Sequence, residues 1–528
     1  MKHSENSSAS AGLDGMGKYL PIPEPTAHFL SSNDAPSGCT ISTIQNILVL
    51  KRVRVHALRE EIEDLRRLTA QRLEELEDTE NSVDGYTKTL STIRRLPAEI
   101  LCEIFAWVLR RTCLLGDKSS QHPPWKLGHI CRRWRAVAVD YPSLWSTITV
   151  YFPTSTLKAQ PASSQAIATQ LSRTRETPLD VTLDCDNAGC IADPDVGKSI
   201  TMICSHSHRW RSLEVHANAK LADILFRRMA DIQGKLPMLR TLNLSVGTSL
   251  AGVMGDIFLS APSLNEVALH EGEHSFPIQL PQIPWRQITQ FRGGRYITTR
   301  AGLEILKASP VLAEVGFTMN RYPGYAKQTP GQEQLSHLHV PTLRRMALIE
   351  KPGDFFEHVT LPSLQELWVS DSYLLPSFIQ RSSCLLVKLV IENVSTPSSI
   401  VTALEASPAL TTFYITFDDR VRKERLLVYN ALKRTGTPSD ICPGLTHVAA
   451  GGRSTSNLIT FFEMVESRWR PSASPRLRFV RAIHRLQEQH VRSLIGQIEK
   501  LKRQGLDVDF DTEIYQRPGG HYMVVGRP

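Results

Sequence analysis

From about Ile44 to Glu80 the chain contains neither Pro nor Gly. Ile44, Ile47, Leu48, Val55, Leu58, Ile62, Leu65, Leu68, Leu73 and Leu76 recur at steps of three and four, with charged runs such as "REEIEDLRR" and "EELEDTE" between them. That spacing predicts a long amphipathic helix over 44–82 with coiled-coil character, ended by "NSVDG" at 81–85. The step from Leu68 to Leu73 breaks a strict heptad, so pairing with a second helix and folding back on the same chain both stay open. Residues 1–43 are rich in Ser, Gly, Pro and Asn and cannot bury a core, so a disordered tail is expected there.

A second helical unit is predicted over 93–147. Leu96, Ile100, Leu101, Ile104, Phe105, Val108 and Leu109 keep helical spacing, with Pro97 suited to the first turn. Their apolar band is wide for a helix with only one neighbour. After a polar loop, "WKLGHICRRWRAVAVDYP" predicts another helical stretch carrying Ile130, Trp134 and Val137 on one face. "PSLWSTITVYF" then leads into an extended segment. Residues 154–170 read as a spacer or weak helix. "TPLDVTLDC" alternates Leu179, Val181 and Leu183 as a strand does.

Beyond this the pattern repeats. Leu-x-x-Leu-x-Leu, usually with Pro two places ahead, recurs in "PMLRTLNL" (237–244), "PSLNEVAL" (262–269), "PTLRRMAL" (341–348), "PSLQELWV" (362–369) and "PALTTFYI" (408–415), with weaker copies between. The first apolar position falls at 210, 239, 264, 288, 312, 343, 364, 386, 410, 445 and 477, one every 26.7 residues on average. One such unit cannot hide its apolar side alone, so neighbours must stack. The period matches leucine-rich repeats, roughly 20–29 residues long. An irregular α/β solenoid of parallel strands with helical returns is expected over 175–528. The segment from Phe479 to Gln504 is read as an amphipathic basic capping helix, followed by a short strand.

Composition narrows the class. The 528 residues are 41% hydrophobic and 22% charged, too many for one ordinary core. No apolar run is long enough for a membrane helix, and the N-terminal residues carry no signal-peptide pattern, so an intracellular, cytoplasmic or nuclear protein is expected. Nine scattered cysteines suit a reducing compartment without disulfides. The formal charge of +8 is concentrated at 93–150 (+5) and 476–503 (+6), which points to acidic partners at two places.

Catalytic and metal chemistry find little footing. Cys185, Cys190, Cys204, His206 and His208 lack the tight ligand pairing of zinc sites. "AAGGRSTS" (449–456) lacks the phosphate-loop spacing and its Lys, and the run from Gly247 to Ala251 lacks the second Gly of a nucleophile elbow. With no catalytic constellation, no metal site and no cofactor motif, a non-enzymatic binding protein is expected. On the repeats, alternation leaves Glu214, Glu266, Glu314, Arg345, Glu366, Trp368, Lys388 and Tyr414 facing solvent. That mixed, acid-leaning face suits a protein target with basic and apolar groups, and it does not suit nucleic acid.

The order Leu96-Pro97-x-Glu99-Ile100-Leu101-x-x-Ile104-Phe105, Ile130-Cys131-x-x-Trp134-Arg135-x-x-Ala138 and Pro142-x-Leu144-Trp145 resembles the F-box. An F-box with a coiled coil ahead and degenerate leucine-rich repeats behind is of the kind abundant in mushroom-forming fungi. The resemblance implies docking onto the Skp-type adaptor of a cullin–RING ubiquitin ligase. It implies that Leu96 and Pro97 begin the contact and that Ile100, Leu101, Ile104 and Phe105 supply helix packing and interface. Ile130, Cys131 and Trp134 would hold the second helix, and Trp145 would anchor its end. The repeats would hold a target protein, with Glu266, Glu314, Arg345, Glu366, Trp368 and Tyr414 as candidate contacts. A repeat scaffold without ligase activity, or a nucleic-acid or membrane-surface binder using the basic segment 476–503, remain as alternatives.

Overall fold

The computed structural model describes residues 29, 32–114, 123–152, 164–185, 194–247, 250–271, 280–319, 335–350, 354–370, 373–417, 425–452, 458–469, 476–484, 496 and 498–511. The chain divides into two units, Met1–Pro97 and Ala98–Pro528.

The first unit is dominated by one helix, α1 (Gly38–Leu90), 53 residues long. It starts where the Ser37 hydroxyl accepts a hydrogen bond from the Thr40 amide, which satisfies one of the free amides of the first turn. It therefore begins inside the expected tail. It also runs through Gly85, past the predicted end at 81–85, and leaves helical geometry only at Ser91. A glycine costs a helix about 1 kcal/mol, too little to stop one this long. None of its residues is buried. Over its whole length the apolar seam steps three and four without a break. Ile41, Ile44, Leu48, Val55, Leu58, Ile62, Leu65, Leu76, Val83, Tyr86 and Leu90 occupy it, and Lys51, Thr69, Arg72 and Thr79 fill the four remaining steps. Leu68 and Leu73, the apparent heptad fault, flank this seam rather than belong to it.

The second unit opens with three helices, α2 (Ala98–Leu114), α3 (Pro123–Ile130) and α4 (Arg132–Val139). The single helical stretch expected over 125–142 is broken at Cys131. Its backbone is extended (φ −158°, ψ 168°), and its Sγ accepts from the Trp134 amide at 3.4 Å, so it caps α4. A 14-stranded sheet follows. Its strands are β1 (Thr147–Phe152), β2 (Leu179–Cys185), β3 (Trp210–Ala217), β4 (Thr241–Val246), β5 (Glu266–Glu271), β6 (Gln290–Ile297), β7 (Glu314–Met319), β9 (Arg345–Ile349), β11 (Glu366–Ser370), β12 (Lys388–Val394), β13 (Thr412–Phe417), β14 (His447–Gly452), β15 (Phe479–His484) and β16 (Asp507–Asp511). β8 (Leu338–His339) and β10 (Val359–Thr360) form a separate pair.

All fourteen strands pair in parallel, in chain order. One register row runs Ile148, Val181, Leu213, Leu242, Val267, Phe291, Val315, Met346, Leu367, Leu389, Phe413, Val448, Val480, Val508, and every member is buried. The eleven first positions of the recurring pattern, from Trp210 to Leu477, are buried too. Parallel pairing requires a return on every unit, and helices at 194–205, 219–229, 299–308, 375–382, 397–405, 425–431 and 458–469 supply many of them. Asn218 and Thr298 cap two of these as the chain leaves the preceding strand. Phe291, Phe317, Phe355, Phe356 and Phe378 stack in succession between the layers, with centroids 4.5–6.5 Å apart.

Two further boundaries, both in the second unit, differ from expectation. The sheet begins at Thr147, inside the segment assigned to the helical unit, because β1 pairs with β2 along its whole length. Phe479–His484, read as the start of a helix, is a strand bonded on both sides. Its apolar positions fit either period, and the two neighbouring strands decide between them. Residues 485–495 lie outside the described residues, and helix is present again at 498–503.

Candidate functional site

The wide apolar band of α2 splits into two edges. Leu101, Phe105 and Leu109 turn inward and are buried with Leu127, Ala138 and Leu144. The Phe105 ring lies 4.9 Å from Trp134, which is half-buried. Trp145 is buried and donates from Nε1 to the Ala138 carbonyl at 2.7 Å. The other edge faces solvent: Ile100 is 47% exposed and Trp107 60%, with Ile104 half-buried between them. Ile130 at the end of α3 is 59% exposed and Val139 at the end of α4 is 38% exposed. In the preceding unit Leu96 is half-buried and Pro97 exposed.

The predicted docking residues therefore fall into three groups. Leu101, Phe105 and Trp145 are internal packing and present nothing to a partner. Pro97, Ile100, Ile130 and Cys131 are exposed, and Leu96, Ile104 and Trp134 are intermediate. Trp107 was not among the expected residues, yet it is the most exposed aromatic on α2. Its position seven residues after Ile100 was the available signal. Lys126, Arg132, Arg133 and Arg135 are exposed on α3 and α4. The Cys102 thiol sits above its usual range because of burial and then the nearby Glu99, Glu103 and Asp140 carboxylates, which makes it a poor nucleophile.

This helical unit is fixed to the sheet. Gln170 donates to the carbonyls of Trp145 (3.1 Å) and Thr147 (2.8 Å). The Arg173 guanidinium lies over Trp125 and Trp145 at 4.8 and 4.4 Å, and burial lowers its pKa. Trp125 meets Trp145 edge-on at 5.0 Å. Gln170 and Arg173 were not legible as part of this unit, and Trp125 was placed in it without this contact, since the contacts depend on where the first return lands.

On the open face of the sheet, Glu266, Gln290, Glu314, Arg345, Glu366 and Lys388 share one register row. Arg345 pairs with Glu314 and, at 3.2 Å, with Glu366, which also faces Lys388 at 3.7 Å. The expected acid lean is thus largely neutralised in place. Trp368 and Tyr414 stand in the next row on either side of Val390, and the same row runs through Gly316 and Ala347 to Arg292. All of these except Arg292, Arg345 and Val390 are half-buried, as residues on an open sheet face are. Beyond Arg292 this second row continues through Ala268 and Asn243 to Glu214. His216 at 3.0 Å, with help from Thr182 and Asn243, holds its carboxyl below the usual carboxylate range.

Among the described residues no group of three or more His, Cys, Asp or Glu is placed to hold a metal. Cys190 lies outside the described residues, while burial pushes the Cys204 thiol up to about 12. Gly451 and Gly452 belong to β14, so the Gly pair does not open a helix. No helix among the described residues is long and apolar enough to cross a membrane. Compared with known proteins, the chain matches no family model and no curated protein.

Proposed function

We propose that this chain is an F-box protein, the target-holding subunit of a cullin–RING ubiquitin ligase. In this reading 93–147 is the F-box and the parallel array behind it is a degenerate leucine-rich-repeat solenoid. The observation that carries the reading is the division of the α2 band: Leu101, Phe105 and Trp145 close the unit from within, while Ile100, Trp107 and Ile130 stay in water. Ile100 and Ile130 are large apolar side chains about half exposed, and Lys126, Arg132, Arg133 and Arg135 are exposed on α3 and α4. Exposed apolar anchors supply most of the affinity for a partner, and the Lys/Arg rim steers an acidic one.

The role needs no catalytic group. The array binds a target on its open face, and the F-box holds that target near a ubiquitin thioester on another subunit. The gain is in effective concentration and orientation.

Co-purification with a Skp-type adaptor tests this. Ile100→Asp/Ile130→Asp alters two exposed side chains, so the fold is expected to survive and adaptor recovery to fall at least tenfold. Recovery equal to wild type removes the assignment. A scaffold without ligase activity would bind the adaptor normally yet leave every partner's ubiquitination unchanged when the gene is deleted. Within the basic segment 476–503, Arg481 stands in β15 against Asp509 at 3.2 Å; the alternative that this segment binds nucleic acid or a membrane surface predicts an affinity that falls steeply with salt.

A further inference from the structure

We propose that α1 is a self-association element through which two copies of this chain pair as an antiparallel coiled coil. The seam keeps heptad spacing from Ile41 to Leu90, and no residue of the helix is buried within the chain. An isolated helix gains little from propensity alone and depends on packing along one face. The overlap available to two such helices is about 70 Å long and about 10 Å wide, on the order of 700 Å² on each copy. A stable standard interface takes roughly 800 Å² from each partner. The seam is therefore of the size that a second identical helix covers.

Charge selects the direction. Lys51, Arg52, Arg54 and Arg59 give the stretch 51–59 a charge of +4, with no acid in it. Six acids and no base give 74–84 a charge of −6. Parallel pairing would superimpose like on like at both ends. It would also set Lys51 against Lys51 and Arg72 against Arg72 inside the seam, two desolvated like-charge contacts. Antiparallel pairing crosses the basic block of one copy with the acidic block of the other.

The register follows from the two seam cations. With the two-fold axis at Arg67, Ile44 lies level with Leu90, so the helix is used nearly end to end. Lys51 then lies level with Val83, between Glu80 and Asp84 of the other copy. Arg72 lies level with Ile62, between Glu61 and Glu63. Each cation that interrupts the seam meets acids, and its stem packs on an apolar residue. Polar groups within a coiled-coil seam set register in this way at some cost in stability.

Light scattering on the purified full chain, with amine cross-linking and peptide mapping, tests the proposal. Wild type is expected at twice the 59.2 kDa chain mass at micromolar concentration. Its dimer band should contain a Lys51–Lys88 cross-link. Along one helix those two amines stand about 55 Å apart, far beyond the span of an amine cross-linker, so the link can form only between antiparallel copies. Leu58→Glu/Leu65→Glu should run as a monomer with the main thermal transition unmoved, which separates loss of pairing from loss of folding. A wild-type mass other than a dimer's overturns the proposal. So does a dimer that yields Lys51–Lys51 links or lacks Lys51–Lys88, and so does a dimer that survives the double substitution.

Discussion

The guanidinium of Arg468 is buried among main-chain acceptors, donating to the carbonyls of Leu432 (2.6 Å), Cys442 (2.8 Å) and Ile441 (2.5 Å). Burial lowers its pKa to about 10, which still leaves it charged at neutral pH. The planar fork reaches three carbonyls, of which that of Cys442 also accepts from the Leu445 amide at 3.2 Å, and it fastens the 458–469 helix to the segment before β14. Arg468→Ala should cost about 3 kcal/mol or more, because it leaves buried acceptors unpaired and a void beside them. Arg468→Lys should recover only part, since an ammonium lacks the fork. Urea midpoints check both, and a loss under 1 kcal/mol in the alanine variant would contradict the account. The cysteines give a second test at this scale. Burial pushes Cys384 up to about 11 and Cys442 up to about 12, whereas Cys39 and Cys131 are exposed. Iodoacetamide at pH 8 should label Cys39 and Cys131 in the native protein and reach Cys384 and Cys442 only in denaturant. Peptide mass spectrometry reads the difference.

At the scale of single elements, Gly302 sets propensity against packing. It lies inside the 299–308 helix, where alanine would ordinarily gain about 1 kcal/mol. A Cβ there would sit 2.9 Å from Phe355 and 3.3 Å from Phe317, rings fixed between their own aromatic neighbours. Overpacking of this kind costs about 1–3 kcal/mol, so packing wins and Gly302→Ala should lower stability by about 1 kcal/mol, read from the thermal midpoint. The same competition decides what the sequence showed in advance. The strand positions from Leu239 to Leu477 were legible because alternation and the leading Leu mark the buried face locally. The α1 helix was legible in its body but not at its ends, since one serine hydroxyl sets its start and the glycine expected to end it is tolerated. The break at Cys131 was hidden, since an extended cap inside a helical pattern changes no period. Phe479–His484 was misread because strand identity there comes from β14 and β16. At the candidate site, spacing marked Ile100 and Ile130 as apolar helix positions, and the F-box resemblance named them as contacts. That Leu101, Phe105 and Trp145 would be wholly internal follows only from where α3, α4 and the first return lie.

Among the described residues of the second unit, the fourteen sheet strands follow chain order with β8 and β10 set apart, so each pairs only with the sheet strands before and after it, and the two end strands bear the cost of an edge. The β1 end meets that cost through one cluster. Trp145 holds α4 through Ala138, receives the Arg173 guanidinium on its face, and its own carbonyl accepts from Gln170 in the helix that returns to β2. Removing the ring takes away the packing between the helical unit and the array, and Trp→Ala at buried sites costs about 3–5 kcal/mol. In a molecule held by neighbour contacts the loss should stay local. Hydrogen exchange on Trp145→Ala should therefore show protection falling in α2–α4 and β1–β2, with β11–β13 retaining wild-type rates. A uniform fall along the array would mean that the unit unfolds as one cooperative body. The local outcome has a functional consequence under the ligase reading. A chain whose array is intact but whose helical unit is loosened should still capture its target and fail to deliver it, so target binding and adaptor binding should separate in this one variant.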